Sequence, residues 1–480
     1  MKKSELIGSN GLGDPYNSYA YSAAKFKGKL YIGTGRANLV FLKYGMPDVK
    51  MKYWPVPVEH ENYSYEFERN ISGAEIVRLS RWNKRWTQVY KSEYTEGSNK
   101  EIFRKHYGYR SMLTFKENNE DKYLYVASTS RSRGKGPDIM RTKNGTEYQI
   151  MQKINASSLD KNTNLTSIRS LHQFEELLIT TITGGSKGKV NGAGISIIYA
   201  TDDPSKNQWK SINGNGFEKY PEVIVVYELC TFNNYLYAAT AGINGFQIWK
   251  GKRISKYNFD WKKVLDKGAG RGALNQGIIS MHVFQDFLYI GTGIQNGGHD
   301  RTYKVGPAAA EVLRLDKKDN VDIICGEERN GKKPLSGYGA GFSNYFNAYI
   351  WKIQSLDDSR LLVGTMDWSI FGLYTEQKER ESLFGRAVND EVLEEYLKVR
   401  GGAELWESKD GIYWHPITLN GFDNKYNFGI RNIIQTTDSE IIVGTANPFG
   451  PKVYKKEDGQ RKGSYVNNKR GGCEAIRITF

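Results

Sequence analysis

The sequence has few cysteines, few histidines and no long apolar run. Cys230, Cys325 and Cys473 are its only 3 thiols, far apart and outside any CxxC or Cys/His spacing. Neither a disulfide framework nor a zinc site can be read from them, and each falls in a strand pattern as a small core residue. No stretch approaches the roughly 20 apolar residues of a membrane-spanning helix. No HExxH pair, glycine-rich phosphate loop, GxSxG elbow or EF-hand loop occurs, so no motif specifies a metal or a cofactor. Residues Met1 to Asn10 carry charge without an apolar h-region. As written this points to the cytoplasm, and a mature secreted form is compatible with a leader already removed.

What the chain does have is glycine and aromatics: 51 Gly, 32 Tyr, 20 Phe and 10 Trp in 480 residues that are only 39% hydrophobic. Such a composition suits many short strands joined by tight turns. The formal charge of +15 favours an anionic partner. The basic residues are spread along the chain with no RNP, helix-turn-helix or zinc-finger pattern, which disfavours nucleic acid. The basic stretches Arg131 to Lys135 and Lys452 to Arg470 read as solvated loops or as a rim that steers anions.

Repetition is the strongest signal. An element of the form Leu-Tyr-Ile-Gly-Thr recurs at Leu30–Thr34, Leu124–Ser128, Leu177–Thr181, Leu236–Thr240, Leu288–Thr292, Leu361–Thr365 and Ile441–Thr445, always ending in a hydroxyl. Each copy follows a β-rich stretch and a short polar turn, and each is succeeded by a third element, often containing an acid: Glu75, Asp138, Glu311, Glu404 or Glu474. A fourth usually begins at an aromatic, as at Trp86, Tyr148, Trp209, Trp261 and Trp414. Four antiparallel strands repeated seven times describe an all-β, seven-bladed β-propeller occupying residues 1–480 as a single domain. The recurring acids and hydroxyls read as blade-packing groups. The seventh unit lacks a fourth strand at the C-terminus, and Leu6 to Asn17 resembles the ends of the third and sixth units, so the N-terminal strand is expected to close the last blade. The pattern resembles propellers of the YVTN and Asp-box type. Ser408 to Trp414 and Thr142 to Tyr148 are similar to an Asp-box turn one residue short. This likeness is architectural and implies no particular activity.

Long insertions at 36–72, 293–308, 366–401 and 446–471 fall on one expected face, the top. The third is partly helical, with Val388, Val392, Leu393, Tyr396 and Leu397 forming an apolar stripe. Aligning the innermost strands places Ser22, Ser111, Ser170, Glu228, Ser280, Lys352 and Asn432 at one level of a central channel, and Tyr21, Arg110, Arg169, Tyr227, Ile279, Trp351 and Arg431 one residue earlier. The expectation is a basic, aromatic-lined pocket. Arg110, Arg169, Arg431 and Lys352 would hold a carboxylate or phosphate between Tyr21, Tyr227 and Trp351. The opposing reading has these arginines paired internally as plugs.

His172, His282 and His415 read as structural. His60, His106 and His299 fall near top loops, where one of them with Asp300 or Asp367 could serve as a base. The functional expectation is a monomeric enzyme acting on an anionic small molecule or acidic sugar, a lyase, hydrolase or cyclase/isomerase, with Tyr227, Glu228, His106 and His299 as candidate proton movers. Uronate lyases and sialidases among propeller enzymes combine such groups, but their diagnostic motifs do not occur here. The alternative is a non-catalytic propeller scaffold that binds a ligand or a protein.

Overall fold

A computed structural model describes residues 2–36, 39–40, 51–57, 71–80, 85–97, 100–117, 121–130, 136–151, 165–184, 196–206, 208–217, 223–455 and 463–480. His60 and the basic run 131–135 lie outside the described residues. The chain falls into two compact units. The first comprises Met1–Tyr109, Met366–Trp406 and Pro416–Phe480, and the second Arg110–Thr365 and Glu407–His415.

In the first unit, the strands Asn17–Phe26, Lys29–Arg36, Glu75–Leu79 and Trp86–Lys91 pair in order as an antiparallel meander. A second blade is assembled from both ends of the chain. Gly429–Thr437, Glu440–Ala446 and Ala475–Thr479 are followed in space by Lys3–Gly8, which pairs antiparallel with Ala475–Thr479 from Lys3↔Thr479 to Gly8↔Ala475. The N-terminal strand therefore completes the last blade. Trp86 Nε1 donates to Ile7 O at 3.0 Å and ties this strand to the first meander. Between the two blades lies a core of Leu12, Ala20, Leu30, Ile32, Val77, Ile442, Cys473 and Ala475.

The second unit repeats the plan. Leu165–Phe174, Leu177–Gly184, Ile198–Thr201 and Lys210–Ser211 form one blade. Val223–Phe232 through Asn258–Leu265 and Gly277–Phe284 through Val321–Cys325 form two more. Strands in the same order occur at His106–Lys116 to Gln149–Ile150 and at Asn347–Leu356 to Trp414–Thr418. The chain is thus an all-β protein built of four-stranded antiparallel blades, the construction of a β-propeller.

The recurring hydroxyls lock several blades internally, mostly onto the residue that carries the recurring acid. Thr34 Oγ1 donates to Glu75 O and accepts from Glu75 N, and Thr292 with Glu311, Thr445 with Glu474 and Thr240 with Gln247 use the same backbone donor. An asparagine joins three of these locks: Asn17, Asn275 and Asn427 each donate Nδ2 to the blade's carboxylate and also to a glycine carbonyl, that of Gly11, Gly268 or Gly421. Each of these glycines lies in a run of consecutive residues with positive φ, such as Gly11 (φ 62°) with Leu12 (φ 60°) and Gly421 (φ 65°) with Phe422 (φ 59°). A left-handed leucine or phenylalanine is costly, and the asparagine bond helps to hold the reversal. The Asp-box-like turns are hydrogen-bonded alike. Asp410 Oδ1 accepts from Ile412 N and Tyr413 N while Ser408 Oγ accepts from Gly411 N, and Asn144 and Thr142 do the same in their turn.

Three of the long insertions meet within the first unit. Lys52 N donates to Tyr374 O, Tyr454 N to Pro55 O, and the Tyr465 hydroxyl to Trp54 O. The basic segment that begins at Lys452 is in part a hairpin of Lys452–Lys455 with Ser464–Asn467. The helix of the 366–401 insertion runs from Asp390 to Val399 behind an Asn389 cap, with Leu393 and Leu397 buried. Val392 is 58% exposed, so the docked stripe is narrower than its spacing suggested. Among the described residues, no helix is long and apolar enough to cross a membrane.

Candidate functional site

The inner-strand positions share a feature that the alignment did not reveal. Pairing with the second strand skips a register between Ala20 and Ser22, Ile168 and Ser170, Val226 and Glu228, Ile278 and Ser280, and Ile430 and Asn432. The residue left unpaired by each bulge is Tyr21, Arg169, Tyr227, Ile279 or Arg431. A bulge bends its strand and re-aims the side chain it carries, and bulges gather beside binding sites. The polar residues Ser22, Ser280 and Asn432 after three of these bulges tie one blade to the next, whereas Ser170 meets Thr181 Oγ1 of its own blade. Ser22 Oγ donates to Tyr109 O at 2.7 Å, and Asn432 Nδ2 donates to Ala20 O. In the second unit, Ser111 Oγ accepts from Leu171 N and Ser280 Oγ from Ile353 N. Ser22, Ser111, Ser280 and Asn432 are blade staples.

The site residues divide between the two units. In the second, Arg169 lies over the Tyr227 ring with its Cζ 3.5 Å from the centroid, and its Nε donates to Tyr227 O at 3.0 Å. Arg110 reaches Ser167 Oγ at 3.4 Å. The Tyr227 hydroxyl donates to Gln295 Oε1 at 2.6 Å, on the 293–308 insertion. Gln295 N in turn donates to Gln276 Oε1, and Gln276 Nε2 donates to buried Asp300, whose other oxygen caps Thr302 N and Tyr303 N. Tyr349, absent from the sequence-derived set, stands edge-on to Trp351 at 5.8 Å. Burial pushes its phenol well above the ordinary value; Tyr227 adds to the shift, while Arg169 and Arg110 oppose it. These four side chains therefore share one electrostatic neighbourhood. Glu228 and Lys352 act on a different group, Cys230, whose thiol burial pushes up to about 12, Glu228 raising it further and Lys352 lowering it.

His299 is half-buried, its imidazole lowered by burial and by Arg301 and raised by Asp300. His172 Nε2 meets Thr231 Oγ1 and His282 Nε2 meets Ser355 Oγ, each at 2.8 Å, so both bridge neighbouring inner strands. In the first unit, Arg431 lies 4.8 Å over Tyr21, which is edge-on to Tyr19. His106 is buried at the start of its strand, edge-on to Tyr109. Among the described residues, no three His, Cys, Asp or Glu side chains are grouped to hold a metal ion.

Asp367 is also in the first unit, fully buried, accepting from Ser369 N at 2.8 Å, from Ser369 Oγ and from the Tyr396 hydroxyl at 2.6 Å. Burial raises its pKa to about 6; the Ser369 and Tyr396 bonds oppose the shift and Glu404 adds to it. Because the folded value lies above the ordinary 3.8, the protonated form favours folding: the stabilisation is present below pH 3.8 and lost as pH rises through about 6. The gap corresponds to about 3 kcal/mol at most. Thermal melts from pH 4 to 7 should show the wild type losing stability relative to Asp367→Asn, and parallel curves would contradict this. The histidines act the other way. His172 is lowered to about 4 and His282 to about 3, chiefly by burial, so their contribution is lost as pH falls from 6.5 toward those values.

No protein-family model matches the sequence, and no curated protein does. Solved structures with a similar course include the β-propeller domain of the Trilobed protease from Pyrococcus furiosus (9% identity, TM-score 0.40, 94% of this chain and 95% of that one). Others are a puromycin-hydrolyzing peptidase of Mycobacterium tuberculosis (8%, 0.42, 97% and 55%) and the Bacteroides ovatus xyloglucan-locus protein GH43B (10%, 0.30, 53% and 48%). The chain spans about half the length of each of the last two.

Proposed function

We propose that Arg110, Arg169 and Tyr227, with Trp351 and Lys352 on the inner strand two blades on from Tyr227, bind the carboxylate or phosphate of a small anionic molecule or acidic sugar. The observation that carries this reading is the pair of bulges that re-aim Arg169 and Tyr227 beside the 293–308 insertion. Two guanidiniums near a buried phenol suit an oxyanion, and limited water strengthens each contact. If the site is catalytic, Tyr227, Glu228 and His299 are its proton movers. The scaffold reading has its own support in the bond from Arg169 to Tyr227 O, which is a blade tie. We also propose that residues 1–480 form one propeller domain of seven blades, of the YVTN and Asp-box type.

Isothermal titration with D-glucuronate and inorganic phosphate tests the site. One of these anions should bind the wild type, and Arg110→Met and Arg169→Met should each weaken it about 10- to 100-fold, as expected for losing a charge-assisted hydrogen bond. An unaltered affinity in both variants, or no binding to the wild type, would favour the scaffold.

A further inference from the structure

Tyr349 belongs to the strand Asn347–Leu356 and bridges to Gly293 of the preceding blade. The approach is close: a Cβ on Gly293 would lie 2.4 Å from Tyr349 Cδ1, so only glycine lets the ring settle there. The side chain is 9% exposed. Its oxygen accepts from Gly297 N at 2.7 Å, on the same insertion whose Gln295 accepts from Tyr227. The phenol is thereby fixed from the insertion side, with one lone pair used and its own O–H still to be satisfied. Among the described residues, none accepts that proton.

A buried hydroxyl donor without an acceptor bears the full loss of its hydration, and native structures seldom leave one so. An acceptor from outside the chain resolves this. Arg110 and Arg169 both act electrostatically on the Tyr349 hydroxyl, so negative charge is the favoured kind. Burial keeps the phenol protonated, and a bound anion would hold the proton more firmly still, so Tyr349 is a donor and not a base.

We propose that Tyr349 donates its phenolic proton in a hydrogen bond to an oxygen of the bound carboxylate or phosphate, completing with Arg110 and Arg169 a donor-only contact set. The inference rests on the anion-binding reading above and adds the residue that fixes the orientation of the anion. Gly297 and Gln295, by holding Tyr349 and Tyr227, act as positioning residues through the insertion.

The test is Tyr349→Phe, titrated with D-glucuronate and inorganic phosphate beside the wild type and Arg169→Met. Phenylalanine keeps the ring and its packing on Trp351, and should weaken the anion that binds the wild type at least about 10-fold. If Tyr349→Phe binds like the wild type while Arg169→Met has lost binding, the role of Tyr349 is overturned and the anion site stands. If the wild type binds neither anion, both fall. Should Tyr349→Phe not fold, 3-fluorotyrosine at position 349, a stronger donor, is the second probe. It should tighten binding about 2-fold, and unchanged affinity overturns the proposal.

Discussion

Replacing Glu311 with alanine is expected to lower the unfolding free energy by about 3–5 kcal/mol, the range for removing one partner from a buried ionic network. The side chain is fully buried. It accepts from both terminal nitrogens of Arg329 (2.8 and 2.9 Å), from Asn275 Nδ2 (2.7 Å) and from Glu327 N (2.8 Å), and Arg271 Nε stands 3.7 Å away. Alanine would take the carboxylate from the Arg329 guanidinium, which keeps only the carbonyls of Ala269 and Glu327, and from the Glu327 N–H, while Arg271 retains Glu327 and Asn275 retains the carbonyl of Gly268. Glu311→Gln keeps an acceptor and should fall between the two. Urea unfolding checks this; a loss under about 1 kcal/mol would show that the network relaxes onto water. A smaller version surrounds Glu474, where Arg470 donates from Nε and Nη2 and Asn427 from Nδ2, so Glu474→Ala should lose less.

Deleting residues 1–8 should have an effect of similar size by another route. The strand Lys3–Gly8 is mostly exposed, so little apolar burial is lost with it. What disappears is a backbone ladder along Ala475–Thr479, each bond contributing about 1 kcal/mol. The Glu5–Arg477 ion pair and the acceptor for Trp86 Nε1 go with it. The unpaired edge left on Ala475–Thr479 is also a template for another chain. The truncated protein should melt lower and self-associate by size-exclusion chromatography with light scattering, and a peptide of residues 1–13 added in trans should reverse both. A monomer of unchanged melting temperature would mean that the terminal strand contributes little.

Both effects are legible in outline in the sequence. The acids at one repeat position read as packing groups because a catalytic residue has no reason to recur blade after blade, and Glu75, Glu311, Glu404 and Glu474 are bonded within their blades. His172 and His282 likewise bridge inner strands as structural groups. The apolar stripe of the 366–401 helix was only partly correct: a helical wheel cannot say how wide a face its neighbour offers, and Val392 lies beyond that face.

The candidate site was less legible. Arg169 and Tyr227 stand out when the innermost strands are aligned, but the bulge that aims them is a mismatch between two strands and has no signature in either one alone. Tyr349 has no such signal, since it lies two residues before Trp351, outside the aligned pair of positions. Its importance comes from Gly297 and the two arginines, all remote in sequence.

The sequence by itself therefore determined the repeat, its phase and the completion of the last blade by the N-terminus, since strand periodicity and turn chemistry are local and recur often enough to be counted. Only the tertiary structure decided which inner-strand side chains meet, because that depends on strand register, on bulges and on where long insertions land. These are settled by hydrogen bonding and packing between segments that the linear chain keeps far apart.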